Sequence, residues 1–263
     1  KLNNKILDIK ADLDLEGYSL GEGWLPIGMA VKDTITGLHV WGNGKTITGM
    51  TVNRQHGSFF EDGEFTAGPD ANYGLFGRLT EALIIDLHIR DAKFTGGNAK
   101  NIGPLVAYGK NLTIKKCSAQ SYIDEGGNAT GGLVGRLEAA CSINQVSAEL
   151  LGGNRSDGKL GGILGYWHRA ASGPSPLYVS EAYSKVRISR KSINGSTGGI
   201  IGAMDTPYPE NEVTTLLSDC YSDIEVSGTA TAKTGTVGGL IGSIQHVTNT
   251  NKSYRLSNCY VTG

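Results

Sequence analysis

Three acidic residues, Asp86, Glu181 and Asp219, recur at one point of a repeated sequence pattern and are the first candidates for chemistry. Two carboxylates about 5 to 9.5 Å apart can hydrolyse a glycosidic bond, one as the acid and the other as base or nucleophile. Successive layers of a repeat protein easily bring equivalent residues within this range, so the spacing has little specificity. A polar residue at this point also suits a backbone turn, and we expect these three to serve the turn.

Aromatic residues indicate binding, because flat exposed rings can stack on sugar rings. Two segments that lengthen the basic repeat, 166–176 and 204–210, are rich in such residues. Within or directly after them lie four candidate ligand contacts: Trp167, His168, Tyr178 and Tyr208. Loops carry function more often than regular strands do, and these segments are expected to emerge side by side as loops. The alternative is that they only cover the side of the molecule.

Composition excludes several classes of function. The formal net charge is −1 and the isoelectric point is about 6.6, whereas nucleic-acid-binding proteins concentrate basic residues on one face. No run approaches the roughly 18 apolar residues of a transmembrane segment. The four cysteines lack the spacing of metal sites or redox pairs, so we expect buried, reduced thiols, no metal and no cofactor. The chain begins at Lys1 without a signal region, and we expect a mature or truncated product whose anchor is not visible.

A glycine phrase of the form Gly-apolar-apolar-Gly recurs along the chain, with one degenerate copy. Its six copies begin at Gly74, Gly103, Gly132, Gly162, Gly199 and Gly239. The steps between them are 29, 29, 30, 37 and 40 residues. A period in this range is typical of proteins in which equivalent units stack on one another.

A second pattern lies between the phrases and reads apolar, any residue, polar, apolar. Its polar members are Asp86, Lys116, Gln145, Glu181, Asp219 and Asn258. Strict alternation follows it, as in residues 220–226, and indicates a half-buried strand. No repeat contains an amphipathic helix of about 10 to 15 residues. We therefore predict an all-β fold, a parallel β-helix (β-solenoid) with right-handed winding by analogy to parallel crossovers; a β-sandwich with chance glycines is the alternative.

Stacking the repeats predicts which side chains are neighbours. One outward column should contain His88, Ser118, Ser147, Tyr183, Tyr221 and Tyr260. The three tyrosines should then stack, either as ordinary cross-strand aromatic pairs or as a platform for sugar rings. Two places further along, Lys185 should lie beside Glu149 and Asp223, and Arg187 beside Glu225.

We divide the chain into residues 1–72, which form N-terminal rungs and a capping region, and residues 73–263, which form the repeats of one continuous body. Segment 55–72 is expected to be a lid over the first rung, because an unpaired strand edge invites association. The chain stops where a further glycine phrase would begin. We expect an uncapped C-terminal rung, or a partner that completes it.

The phrases resemble those of bacterial surface proteins with GLUG motifs, named for Gly-Leu-any-Gly. The resemblance continues before the repeats, where ADLDL at 11–15, WLPIG at 24–28 and GNGKTI at 42–47 match, in order, runs common in that family. Trp41 and Lys45 depart from it, since aspartate and histidine are usual there. The resemblance implies an exported bacterial protein with an adhesive or matrix-like role and no reaction.

Some members of that family carry a zinc metallopeptidase, which needs two histidines one helical turn apart and a glutamate base. That arrangement is missing around all five histidines: His39, His56, His88, His168 and His246. We therefore predict a non-enzymatic, secreted or cell-surface scaffold for adhesion, with a host or matrix glycan or protein as partner. A carbohydrate-active enzyme of β-helix type, a lyase or hydrolase, is the alternative, and a dense outer cluster of acids and bases would favour it.

Overall fold

The computed structural model describes residues 2–54, 58–61, 64–67, 71–95, 99–152, 158–169, 175–190, 195–205, 214–228, 235–245 and 253–263. Across these residues nearly all regular structure is β-strand, and the two helical segments are single 3-10 turns, Glu16–Tyr18 and Val31–Asp33. In this described part of the chain, no helix has the length and apolar character to cross a bilayer.

Seven strands precede the first of the rungs that contain a glycine phrase. Their bounds are β1 Ile6–Asp8, β2 Leu13–Asp14, β3 Ile35–Thr36, β4 His39–Thr48, β5 Thr51–Val52, β6 Ser58–Glu61 and β7 Glu64–Ala67. Strands β6 and β7 form an antiparallel hairpin. The remaining residues of the predicted lid lie outside the described residues, apart from 71 and 72, and the covering role stays a prediction.

Six rungs follow, a rung being one turn of the β-helix. The first three contain β8 Asn72–Tyr73, β9 Phe76–Thr80 and β10 Leu83–Phe94; β11 Asn101–Ile102, β12 Val106–Lys110, β13 Thr113–Lys115 and β14 Ser118–Ile123; and β15 Ala129–Gly131, β16 Val134–Glu138 and β17 Cys141–Gly152. The last three contain β18 Lys159–Gly161, β19 Leu164–His168 and β20 Leu177–Arg190; β21 Ser196–Gly198, β22 Ile201–Asp205, β23 Thr214–Ser218 and β24 Tyr221–Gly228; and β25 Thr236–Gly238, β26 Ile241–Gln245, β27 Ser253–Ser257 and β28 Tyr260–Thr262.

Equivalent strands of successive rungs pair in parallel and form three sheets. The strands just before the glycine phrases make a six-stranded sheet, the first face, and those just after them join β3 in a seven-stranded sheet, the second face. The long strands that follow make a 13-stranded sheet, the third face, together with β1, β2, β4 and β5. The predicted parallel β-helix is confirmed, and the β-sandwich is excluded. Right-handed winding and the division at residue 72 stay predictions.

The third face bends at the polar residue of the second pattern. All six of these residues have a positive φ, from 50° at Glu181 to 59° at Asp86, a conformation that non-glycine residues rarely adopt. Their side chains also tie neighbouring rungs together: Asn258 donates to Asp219 at 3.0 Å and Gln145 donates to Glu181 at 3.1 Å. Asp86, Glu181 and Asp219 therefore lie at corners, as predicted from the pattern.

The glycine phrase forms the corner between the first and second faces. A Cβ atom on Gly132 would lie 2.1 Å from the carbonyl oxygen of Gly162, and one on Gly162 would lie 2.0 Å from that of Gly199. Glycine is needed here because the stacked corners approach one another too closely for any side chain. Leu133 and Val134, between the glycines, are both fully buried.

The four cysteines are free thiols, as predicted. Cys117, Cys141 and Cys220 are buried, and Cys259 is half-buried. Burial raises the pKa of both Cys117 and Cys141 to about 11. Since the thiolate is the reactive form, these two side chains act as small core residues at neutral pH.

Candidate functional site

The tyrosine ladder, Tyr183, Tyr221 and Tyr260, is the main aromatic feature of the third face. Strand pairing places Tyr183 opposite Tyr221 and Tyr221 opposite Tyr260. The ring centroids are 5.1 Å apart in the Tyr183–Tyr221 pair and 4.4 Å apart in the Tyr221–Tyr260 pair. In each pair the two ring planes are inclined by 24° to one another. Tyr183 is 38% and Tyr260 61% exposed. The predicted stack is confirmed, because in-register parallel strands repeat the same side-chain position every rung.

Charged residues form a second column beside the ladder. Lys185 donates to Glu149 at 2.8 Å, and this hydrogen bond lowers the pKa of the Glu149 carboxyl. Lys185 is also in register with Asp223, as predicted, but the Asp223 carboxylate pairs with Arg187 at 2.6 Å. Arg187 also reaches Glu225 at 3.3 Å. Exposed ion pairs of this kind contribute little to stability and mainly fix the register.

Next to the ladder the third face contains a groove with a cavity volume of about 380 Å³. Serines occupy the tyrosine position in the two preceding rungs, because Ser147 pairs with Tyr183 and Ser118 with Ser147. The groove therefore lies where the column changes from large to small side chains. Its lining is mostly polar and includes Gln120, Glu149 and Lys185.

The predicted placement of Trp167 in an exposed loop requires correction. Trp167 lies within β19, has no exposed surface, and donates its indole N–H to the Ala139 carbonyl at 3.2 Å. The reason is that β19 continues beyond the glycine phrase as far as His168. Within it, Trp167 occupies the inward position paired with Leu137 and Met204. Its ring is core, and it offers no surface to a ligand.

The other predicted aromatic contacts have different positions. Tyr178 is 41% exposed but lies on strand β20, not on a loop. His168 is the last residue of β19 and points outward. Tyr208 lies outside the described residues. Strands β19 and β22 are neighbours, so the segments that follow them start from adjacent rungs, as predicted.

A cluster that the sequence did not predict lies on the second face, and we call Tyr166, His168 and Asp205 the His168 cluster. The Asp205 carboxylate accepts hydrogen bonds from the Tyr166 hydroxyl and from His168 Nδ1. Burial and the bond to Asp205 raise the pKa of Tyr166. The ammonium of Lys159 lies 4.3 Å from the Tyr166 ring centre, and burial lowers the pKa of Lys159. His168 and Asp205 occupy the same place after their glycine phrases, six residues beyond Gly162 and Gly199, which is the signal that would have paired them.

Arginines and tyrosines alternate in the column that leads to this cluster. The guanidinium of Arg78 lies 3.8 Å from the Tyr108 ring centre, and that of Arg136 lies 5.3 Å from the Tyr166 ring centre. Such cation–π contacts contribute about 0.5 to 1 kcal/mol at exposed sites. Tyr108 donates to Glu138 at 2.7 Å, and burial raises the pKa of Tyr108 to about 12. Over the described residues, no group of three or more His, Cys, Asp and Glu side chains could hold a metal ion.

Comparison with known proteins gives limited similarity. No family model matches the chain. Halomucin of Haloquadratum walsbyi is 31% identical over 145 residues, which are 54% of this chain and 1% of halomucin, so the chain spans about one hundredth of that protein. A solved structure from Bacteroides ovatus, provisionally assigned as an immunoglobulin A1 protease, is 14% identical with a TM-score of 0.47, over 91% of this chain and 78% of that one. The fold assignment therefore depends on the strand pairing of the chain itself.

Proposed function

We propose that the chain is part of a secreted or cell-surface β-solenoid scaffold that adheres to a glycan or glycoprotein through its third face. The tyrosine ladder is the observation that supports this function most strongly. The rings of Tyr183 and Tyr260 are exposed, that of Tyr221 between them is half-buried, and all three are fixed by stacking on consecutive rungs. The similarity to halomucin, and the resemblance of the glycine phrases to GLUG surface proteins, support a place outside the cell or at its surface.

Fixed aromatic side chains suit such a role for a thermodynamic reason. A flexible side chain loses rotamer freedom when it contacts a partner, at about 0.5 to 1.5 kcal/mol each. The ladder rings are already ordered by one another, so most of that loss has occurred before binding. Tyrosine also combines a large apolar face with a hydroxyl that can hydrogen-bond at a wet interface.

The adhesion test compares the chain with a ladder variant on a surface coated with mucin glycoprotein. Replacing Tyr183, Tyr221 and Tyr260 by serine should reduce the retained protein by roughly tenfold, which corresponds to about 1.4 kcal/mol. The matched control is Tyr122→Ser, an exposed tyrosine of the third face outside the ladder, and it should adhere like the wild type. Circular dichroism verifies that both variants keep the β-fold. Equal adhesion of the ladder variant, or no adhesion of the wild type, would contradict the proposal.

The His168 cluster favours a second candidate function, a polysaccharide lyase or hydrolase. With Nδ1 bound to Asp205, Nε2 is the nitrogen of this partly exposed imidazole that would exchange a proton with a substrate. Lys159 and Arg136 nearby supply positive charge. The alternative role is structural, since Asp205 joins the second-face strands β19 and β22 by accepting both hydrogen bonds.

An assay for new reducing ends separates the two functions. The chain is incubated with polygalacturonate, xylan and a mucin glycoprotein, in parallel with His168→Ala and Asp205→Asn. The scaffold proposal predicts no product from the wild type or from either variant, because the His168 cluster would then only join strands. Product formation by the wild type that either substitution abolishes would replace the scaffold by the enzyme.

A further inference from the structure

The groove beside the tyrosine ladder has the form of a ligand site. Its cavity volume of about 380 Å³ falls within the range of roughly 300 to 1,000 Å³ that is usual for small-molecule sites. It extends from the rung of Arg90 to the rung of Lys185. At about 4.8 Å a rung, the three steps between them span about 14 Å, enough for two or three sugar rings.

One end of the groove is an aromatic platform. Tyr183 has Tyr221 stacked on one side, at 5.1 Å between ring centres. On its other side the register partner is Ser147, whose side chain is too small to cover the ring. Tyr183 thus ends the ladder with one ring face turned toward the groove that it lines.

The wall of the groove carries hydrogen-bonding groups that are already in place. Glu149 accepts from Lys185 at 2.8 Å and from Gln120 at 3.1 Å. The Lys185 ammonium has two further N–H donors, and the Gln120 carbonyl is a further acceptor. The hydrogen bond from Lys185 lowers the pKa of Glu149, so this carboxylate is ionised at neutral pH. Ser118 and Ser147 add hydroxyls to the lining.

This combination matches one class of ligand. A pyranose ring presents C–H groups on a flat face and hydroxyls around its rim. A flat aromatic face beside convergent polar groups is complementary to that arrangement, and polar groups positioned to bond the hydroxyls give the selectivity. An apolar ligand would shield the remaining Lys185 donors and the Gln120 carbonyl from water and would offer them no hydrogen bonds in return, which disfavours it.

We propose that the groove is a saccharide subsite, in which a pyranose ring of an oligosaccharide stacks on the free face of Tyr183. Its hydroxyls bond to Gln120, Glu149 and Lys185, and the chain of sugars extends along the solenoid axis toward Arg90. The inference rests on the proposed function, since it assigns the glycan to one place on the adhesive face. It is more specific than that function, because adhesion through Tyr221 and Tyr260 would not need the groove.

Isothermal titration calorimetry tests the subsite with hexasaccharides of glucose, N-acetylglucosamine, mannose and galacturonic acid. At least one should bind the wild-type chain. Tyr183→Phe keeps the ring and should bind with similar affinity, whereas Tyr183→Ser should bind roughly tenfold more weakly. Tyr122→Ser is the surface control and should match the wild type. Serine already occupies this column in the two preceding rungs, so Tyr183→Ser is compatible with the fold.

Two outcomes would overturn the subsite. One is that no hexasaccharide binds the wild type, and the other is that Tyr183→Ser binds as tightly as Tyr183→Phe. The adhesion assay then separates the subsite from the wider function. If the triple ladder variant loses adhesion while Tyr183→Ser alone keeps it, the scaffold proposal stands and the subsite is wrong. If the triple variant also adheres normally, both are wrong.

Discussion

Replacing Trp167 by alanine should lower the free energy of unfolding by about 3 to 5 kcal/mol. The indole has no exposed surface, packs in the core, and bonds to the Ala139 carbonyl at 3.2 Å. Alanine would leave a large cavity and a carbonyl without its partner. Urea denaturation followed by circular dichroism measures the change.

Trp41→Ala is the matched control, because Trp41 is the same residue type at an exposed position of the third face. Substitutions at exposed positions usually change stability by about 0.5 kcal/mol or less, and we expect this control to lose far less than Trp167→Ala. Equal losses in the two variants would contradict the inward placement of Trp167.

Alanine at Gly162 should destabilise the solenoid by about 3 kcal/mol, since forced overpacking typically has this order of effect. The new Cβ would lie 2.0 Å from the Gly199 carbonyl oxygen and 2.6 Å from the Ser184 side chain. Backbone atoms cannot move aside without separating two rungs. Contacts between neighbouring rungs provide most of the stability of a solenoid, so adjacent rungs should be destabilised as well.

Gly17→Ala provides the comparison for this second substitution. A Cβ at Gly17 has no heavy atom within 4 Å, and the backbone there has no positive φ. Alanine at such a position is expected to be neutral or to stabilise by up to about 1 kcal/mol, through the unfolded state. The same denaturation experiment applies. If Gly162→Ala unfolds at the wild-type urea concentration, the close packing of the glycine corners is wrong.

Much of the fold could be predicted from the sequence because a solenoid repeats one environment. The spacing of the glycine phrases gave the rungs, and the polar corner residues gave the register. Aligning Ala182, Cys220 and Cys259 was then enough to place the tyrosines that follow them in one stack. The register also placed Lys185 between Glu149 and Asp223, but which of the two carboxylates it pairs with depends on side-chain geometry. Arg187 reaches Asp223, and Lys185 is left with Glu149.

The site was harder to predict than the fold. The length of its repeat suggests that Trp167 lies in a loop, yet the added residues come after strand β19 and not within it. Its register partners Leu137 and Met204 show the inward position, and an alignment extended past the glycine phrase would have found it. The groove arises because the side chain in this column changes from the small Ser147 to the large Tyr183. A search for regularly spaced sequence patterns does not detect such a change in size.

The most direct test is a nuclear Overhauser measurement on the ring protons of Tyr221. Successive rungs bring distant tyrosines together on one outer surface, where the ring centres of Tyr183 and Tyr260 lie 5.1 and 4.4 Å from that of Tyr221. Tyr221 should therefore show contacts to the rings of both Tyr183 and Tyr260, and selective labelling of tyrosine rings makes them visible. Contacts from Tyr221 only to its neighbours in sequence would contradict the stacked rungs, and with them the adhesive face.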